Sequence, residues 1–211
     1  MSDVIKRIGD CRIVPVVVLD TAERAVPTAN ALFSGGVDIM EITLRTAAGL
    51  ESIRRVSGEC SDICVGAGTV LTVDKCKQAV DVGACFIVSP GFNGPIVEWC
   101  LANEIIVVPG CVTPSEIMLA MSYDINVLKF FPADVYGGLP AMKALSAPFH
   151  EVKFIPTGGI SGKNLREYIS APFVHAVGGS WMCGKADIED GKFDRIAGLA
   201  AEAVRIKNSE E

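Results

Sequence analysis

The stretch Ile13–Leu19, IVPVVVL, settles the class of fold. Successive strand residues face opposite sides of a sheet, so a half-wet strand alternates apolar and polar. Here both parities are apolar, as in parallel strands covered on both faces by crossover helices. The run is the longest continuous apolar segment and is far too short to span a membrane. It leads into DTAER, Asp20–Arg24, and not into the Gly-x-Gly-x-x-Gly turn that opens a dinucleotide-binding doubly wound sheet.

Seven similar runs follow: DIMEITL from Asp38, ICVGAGTV from Ile63, CFIVSP from Cys85, IIVVPG from Ile105, VLKFFP from Val127, KFIPTGG from Lys153 and HAVGGS from His175. Their starts lie about 20 to 26 residues apart, the length of one strand plus one helix. The segments between them carry helix signals. Thr72 N-caps a helix closing at Gly83, and Thr113 with Glu116 forms a capping box around Pro114 at the first helical position. ERAVPTANALFSGG closes on a glycine pair, with Pro27 tolerable if that helix kinks or starts late. Eight such units, with no linker or low-complexity stretch, predict an α/β protein. The expected architecture is a (β/α)₈ TIM barrel in a single domain over residues 1–211, with a short N-terminal helix.

Half of the residues are hydrophobic and 21% are charged, which supports a large core and argues against disorder. A net charge of -6 and the lack of any basic run argue against a nucleic-acid partner. The N-terminus, MSDVIKRIGDC, has no apolar core of signal-peptide length, so a cytoplasmic location without membrane association is expected. The eight cysteines never form a Cys-x-x-Cys pair and stand beside apolar segments. They read as small buried hydrophobes with reduced thiols. With two histidines, a zinc site has few candidate ligands, and no metal is expected.

Barrel chemistry is assembled at the C-terminal ends of strands. Polar residues there are Glu41, Thr43 and Arg45 (one parity, one face), Thr69, Lys129, Thr157 with Gly158 and Gly159, and Gly178, Gly179 and Ser180. Pro90 ends the fourth run in Ser89-Pro90-Gly91. Glu41 and Lys129 each lie deep in an apolar strand, where a lone ion is costly. A buried ion pair bracing the barrel would explain them structurally, although such pairs stabilise weakly. The chemical reading is that burial disfavours the ammonium form, leaving a neutral amine to attack a carbonyl and form a Schiff base. Glu41 is the candidate proton carrier. Lys153 starts its strand beside Glu151, at the opposite end, and reads as solvated. Phe131 shares the parity of Lys129 and would sit above it, keeping the amine dry. The paired glycines after strands seven and eight, each beside a hydroxyl, fit a phosphate site. Arg45 supplies a planar cation suited to a carboxylate. His150 and His175 read as surface or packing residues, and Trp99 and Trp181 as core or rim fillers.

Taken together, EITLR, VGAGTVL, SPG, VPG, KFFPA, PTGGI and GGSW resemble the 2-keto-3-deoxy-6-phosphogluconate aldolase family, in order, from about Ile13 to about Arg205. The resemblance implies a metal-independent class I aldolase without cofactor, usually a homotrimer. It would cleave a phosphorylated 2-keto acid to pyruvate and glyceraldehyde 3-phosphate, and often also act on 4-hydroxy-2-oxoglutarate. It implies Lys129 as Schiff-base former and Glu41 as general acid and base. Arg45 and Thr69 would hold the substrate carboxylate, and Gly158, Gly159 and Ser180 the phosphate, with Thr157, Pro90, Phe131, Gly178 and Gly179 in the pocket. The similar 6-phosphogalactonate aldolases typically carry EIPLN where this chain has EITLR, so Thr43 and Arg45 favour the gluconate type. A phosphosugar isomerase or decarboxylase barrel, or a non-catalytic phosphometabolite-binding barrel, are the alternatives.

Overall fold

A computed structural model of the protein describes residues 3–209. Each of the eight runs holds one strand: β1 Ile13–Val17, β2 Ile39–Thr43, β3 Cys64–Gly68, β4 Phe86–Val88, β5 Ile106–Val108, β6 Val127–Phe130, β7 Lys153–Pro156 and β8 Val177–Gly179. The helices are α1 Asp3–Cys11, α2 Ala25–Ser34, α3 Gly49–Glu59, α4 Val73–Asp81, α5 Gly94–Ala102, α6 Pro114–Met121, α7 Gly138–Ser146, α8 Leu165–Ser170, α9 Lys185–Glu189 and α10 Phe193–Asn208.

Every paired strand is parallel, as the apolar runs require. Six strands form one sheet in the order β5-β4-β3-β2-β1-β8, a parallel half-barrel, and β6 pairs with β7. Backbone bridges meet the second group on both sides. Lys129 N–H donates to the Pro109 carbonyl and Cys111 N–H donates to that of Lys129, both at 2.9 Å. On the other side Thr157 bridges Gly178.

Local chemistry sets the helix ends. The Thr72 hydroxyl accepts from Lys75 N–H, and Asn93 Oδ1 accepts from Ile96 N–H ahead of Pro95. Thr113 and Glu116 form the expected reciprocal capping box, with Pro114 at the helix start. Pro27 falls in the first turn of α2, after a short 3-10 turn over Ala22–Arg24, where its missing N–H breaks no helical bond.

One continuous apolar core runs between strands and helices. Phe86, Phe130 and Phe154 are fully buried, and Phe130 meets Phe154 edge-on at 5.8 Å. Each such ring contributes about 1.5–3 kcal/mol through burial. Helix α1 lies against the start of β2, where Arg7 Nε donates to Asp38 Oδ2 at 2.8 Å, and it sends Ile8 into the core. His175 lies just before β8 instead of opening it. Its Nε2 hydrogen-bonds the Ile5 carbonyl at 2.9 Å, so the ring packs against α1.

All eight cysteines are free, and seven are buried as expected. Cys85 is the exception: it immediately precedes β4 and is exposed. Lys153 reaches the Pro172 carbonyl at 2.6 Å in an exposed setting, away from Lys129. Among the described residues no helix is long and apolar enough to cross a membrane.

Candidate active site

Glu41 occupies the middle of β2, in register with Val16 of β1 and Gly66 of β3. Lys129 occupies β6, in register with Ile155 of β7. The two side chains, 5% and 3% exposed for Lys129 and Glu41, meet inside the fold. Lys129 Nζ donates to Glu41 Oε1 at 3.1 Å and lies 3.4 Å from Oε2. In a low-dielectric interior such a pair must offset the desolvation of both ions, so it is a poor device for stability alone. It places a proton donor and acceptor within transfer distance.

The Lys129 ammonium also lies 5.4 Å from the centroid of the Phe131 ring, within cation–π range. The pair borders a cavity of about 10 Å³ whose apolar walls include Ile8, Val14, Phe86 and Val108. Thr157 closes that space and also lines a second cavity of about 140 Å³, shared with Arg45, Phe131, Gly158, Gly159, Gly179 and Ser180. Thr157 is 7% exposed, and its Oγ1 has no hydrogen-bond partner among the described residues.

Arg45 follows the end of β2, and its Nε donates to Thr69 Oγ1 at 3.2 Å. Thr69 follows β3 with φ +57°, a left-handed conformation uncommon for a threonine. Gly158 and Gly159 follow β7 with φ of +100° and +71°, which glycine adopts without steric cost. A Cβ on Gly159 would also lie 2.5 Å from Asp134 Cβ. Both glycines line the larger cavity beside the exposed Ser180, where backbone without a side chain can approach an anion closely.

Most of the residues singled out from sequence thus converge on two adjoining cavities. Thr69 joins them through Arg45. Gly178 lies beneath Thr157 and lines neither cavity; Pro90 follows β4, against Gly110, and lines neither. Thr43, two residues along β2 from Glu41, donates to the Val17 carbonyl at 3.2 Å and lines neither cavity. Val16 and Ile160 line the larger cavity and Ile8 the smaller. None carried a sequence signal: Val16 is one apolar residue in an apolar run, and Ile8 and Ile160 are single apolar residues among polar and glycine neighbours.

Among the described residues, no cluster of three or more His, Cys, Asp or Glu side chains is arranged to hold a metal ion. What the cavities present is a buried amine on a carboxylate, a guanidinium and a glycine-lined mouth. That set can capture a carbonyl covalently while binding a carboxylate and a phosphate.

Residues 4–199 match the family model described as KDPG and KHG aldolase. A 2-dehydro-3-deoxy-phosphogluconate aldolase of Treponema pallidum is 43% identical over 206 residues, covering 98% of both chains. The crystal structure of KDPG aldolase from Legionella pneumophila, with pyruvate captured as a covalent carbinolamine intermediate, superposes with a TM-score of 0.92. It is 36% identical and covers 96% of this chain and 98% of its own. The 2-keto-3-deoxy-6-phosphogluconate aldolase of Zymomonas mobilis with 3-phosphoglycerate gives a TM-score of 0.90, at 36% identity over 98% of this chain and 97% of its own.

Proposed function

Because the chain belongs to the KDPG and KHG aldolase family, we propose that Lys129 is the nucleophile with which it cleaves 2-keto-3-deoxy-6-phosphogluconate to pyruvate and glyceraldehyde 3-phosphate. The observation carrying this assignment is the buried contact of Lys129 Nζ with Glu41 Oε1 at 3.1 Å. The enzyme is a class I aldolase, and the covalent imine takes the place that a metal or cofactor fills in other lyases.

Arg45, steadied by Thr69, grips the substrate carboxylate, while the backbone at Gly158 and Gly159 and the Ser180 hydroxyl receive the phosphate. The carbonyl C2 then lies over Lys129. Glu41 takes a proton from the lysine, freeing a lone pair that attacks C2. Glu41 returns that proton to the carbonyl oxygen, giving a carbinolamine, then takes a second proton from the nitrogen and delivers it to the same hydroxyl, so that water leaves and an iminium forms. Glu41 next accepts the proton of the C4 hydroxyl as the C3–C4 bond breaks. The bonding pair moves into the iminium, giving an enamine and the aldehyde. Protonation of the enamine at C3, then attack by water, releases pyruvate and restores the amine. Phe131 covers the amine during these steps. The 4-hydroxy-2-oxoglutarate reaction follows the same course without the phosphate contacts.

The finer architecture belongs to the same reading. The bridges flanking β6 and β7 support one closed (β/α)₈ barrel forming a single domain. A cytoplasmic homotrimer accompanies it, and exposed Leu101, Met118 and Leu119 on α5 and α6 offer apolar surface for a neighbouring copy. Light scattering should return three times the chain mass.

Borohydride reduction in the presence of pyruvate tests the central assignment. Peptide mapping should find the adduct on Lys129, and Lys129→Ala should lose both adduct and cleavage. An adduct on Lys153 or elsewhere, or none, would refute it.

A further inference from the structure

Proton transfer at Lys129 depends on where the Glu41 carboxylate rests, and the backbone of β3 decides that. Glu41 is in register with Gly66, but its side chain leans forward along the strand toward Gly68. A Cβ built on Gly68 would fall 2.0 Å from Glu41 Oε1 and 2.6 Å from its Cδ and Cγ. No carbon and carboxylate share that space. Withdrawal of the carboxylate would break the 3.1 Å contact with Lys129. The backbone has no room to retreat either, since Gly68 is paired with Thr43 and its carbonyl accepts Leu44 N–H at 2.8 Å.

The usual reasons for a glycine do not apply here. Gly68 ends a regular strand and lies outside the positive-φ glycines, so the backbone would accommodate alanine. Gly66 shows the same logic one pleat earlier, where a Cβ would lie 2.3 Å from the Phe86 ring bordering the Lys129 cavity. Two inward positions of β3 are thus left empty of side chain, one for a ring and one for the carboxylate.

We infer that Gly68 is a positioning residue: its missing side chain is the slot that holds the Glu41 carboxylate against the Lys129 amine. The inference rests on the aldolase reading of the site and adds to it a residue that touches neither substrate nor amine. An alanine there displaces the proton carrier while leaving Arg45 and the glycine-lined mouth untouched, so the loss should appear in kcat and not in KM.

The test is a cycle of Gly68→Ala, Glu41→Ala and the double variant. It reads kcat and KM for 2-keto-3-deoxy-6-phosphogluconate and the rate of borohydride trapping with pyruvate. Gly68→Ala should lower kcat and trapping by about 100-fold, the order expected for a lost acid–base group, with KM within about threefold. In the Glu41→Ala background it should change either rate by less than about twofold. Equal losses in both backgrounds would overturn the slot, because a packing role does not depend on Glu41. Unchanged kcat in Gly68→Ala would also overturn it. Should Gly68→Ala not fold, a folded double variant supports the clash with Glu41, and an unfolded double variant refutes it. Failure of the unaltered protein to form any imine would instead sink the reading of the site itself.

Discussion

The hydroxyl of Thr157 lies where a side chain on Gly178 would begin, 2.2 Å from that virtual Cβ, and finds no partner among the described residues. Gly178 therefore makes room for a polar atom that the fold buries without satisfying. A buried, unpaired hydroxyl costs about 1–3 kcal/mol. Thr157→Val keeps the branched shape and removes the cost, so the unliganded protein should gain about 1 kcal/mol and melt about 2–4 °C higher. Cleavage should fall in the same variant, because Thr157 lines both cavities. A lower melting temperature would show that the folded protein satisfies this hydroxyl.

The Lys129–Glu41 pair separates stability from chemistry. Removing one partner strands a charge in the interior, at a cost of about 3–5 kcal/mol, while replacing both with apolar residues can be neutral. Lys129→Met should thus unfold at lower urea concentration than the Lys129→Met, Glu41→Leu double variant, and both should be inactive. Glu41→Gln should retain substrate binding and lose about 100-fold or more in kcat. Undiminished turnover in that variant would remove Glu41 from the mechanism.

Much of this site is legible in the amino-acid sequence, for a definite reason. Parallel strands buried on both faces tolerate only apolar residues, so an ionisable group such as Lys129 or Glu41 stands out against its run. The same uniformity hides Val16, which lines the larger cavity yet looks like every other residue of its run, while Ile8 and Ile160 line the cavities from outside the strands, where parity says nothing of them. Gly68 and Gly66 are hidden in another way. Glycine in VGAGTV reads as turn or bulge, and only the position of Glu41 and Phe86 on adjacent strands reveals what each one accommodates. The face shared by Glu41, Thr43 and Arg45 is an inference from strand parity, which reaches only to Thr43, where β2 ends; Arg45 lines the larger cavity from beyond the strand. Cys85 escapes burial because it precedes its strand and does not lie within it.

Arg45 offers a test of carboxylate recognition. Its Nε is already engaged by Thr69 Oγ1, which fixes the plane of the guanidinium. Lysine can supply the charge but not the planar fork. A hydrogen bond to a charged group contributes about 1.5–3 kcal/mol, so Arg45→Lys should raise KM by about 10- to 100-fold with a smaller change in kcat. Thr69→Val should move KM in the same direction by less. Steady-state kinetics with pyruvate release as the readout distinguishes these from a loss confined to kcat.

The capping box at the start of α6 gives a prediction in pH. Burial pushes the Glu116 carboxyl up, but hydrogen bonds from Val112 N–H and from the Thr113 hydroxyl and N–H outweigh it. The group is held below the ordinary glutamate value of 4.5. A carboxylate depressed by folding stabilises the folded state at pH above its unfolded value, and that contribution fades as pH falls through the folded value. Glu116→Gln should therefore cost about 1 kcal/mol at neutral pH, in the range of a lost cap. The gap between variant and unaltered protein should stay flat from pH 7 down to about 5 and close progressively below the ordinary glutamate value. Thr113→Ala should lower stability at neutral pH by a similar amount, since it removes both the acceptor for Glu116 N–H and one of the donors to the carboxylate. Urea midpoints across that pH range read both effects, and a gap that widens on acidification would contradict the depressed carboxyl.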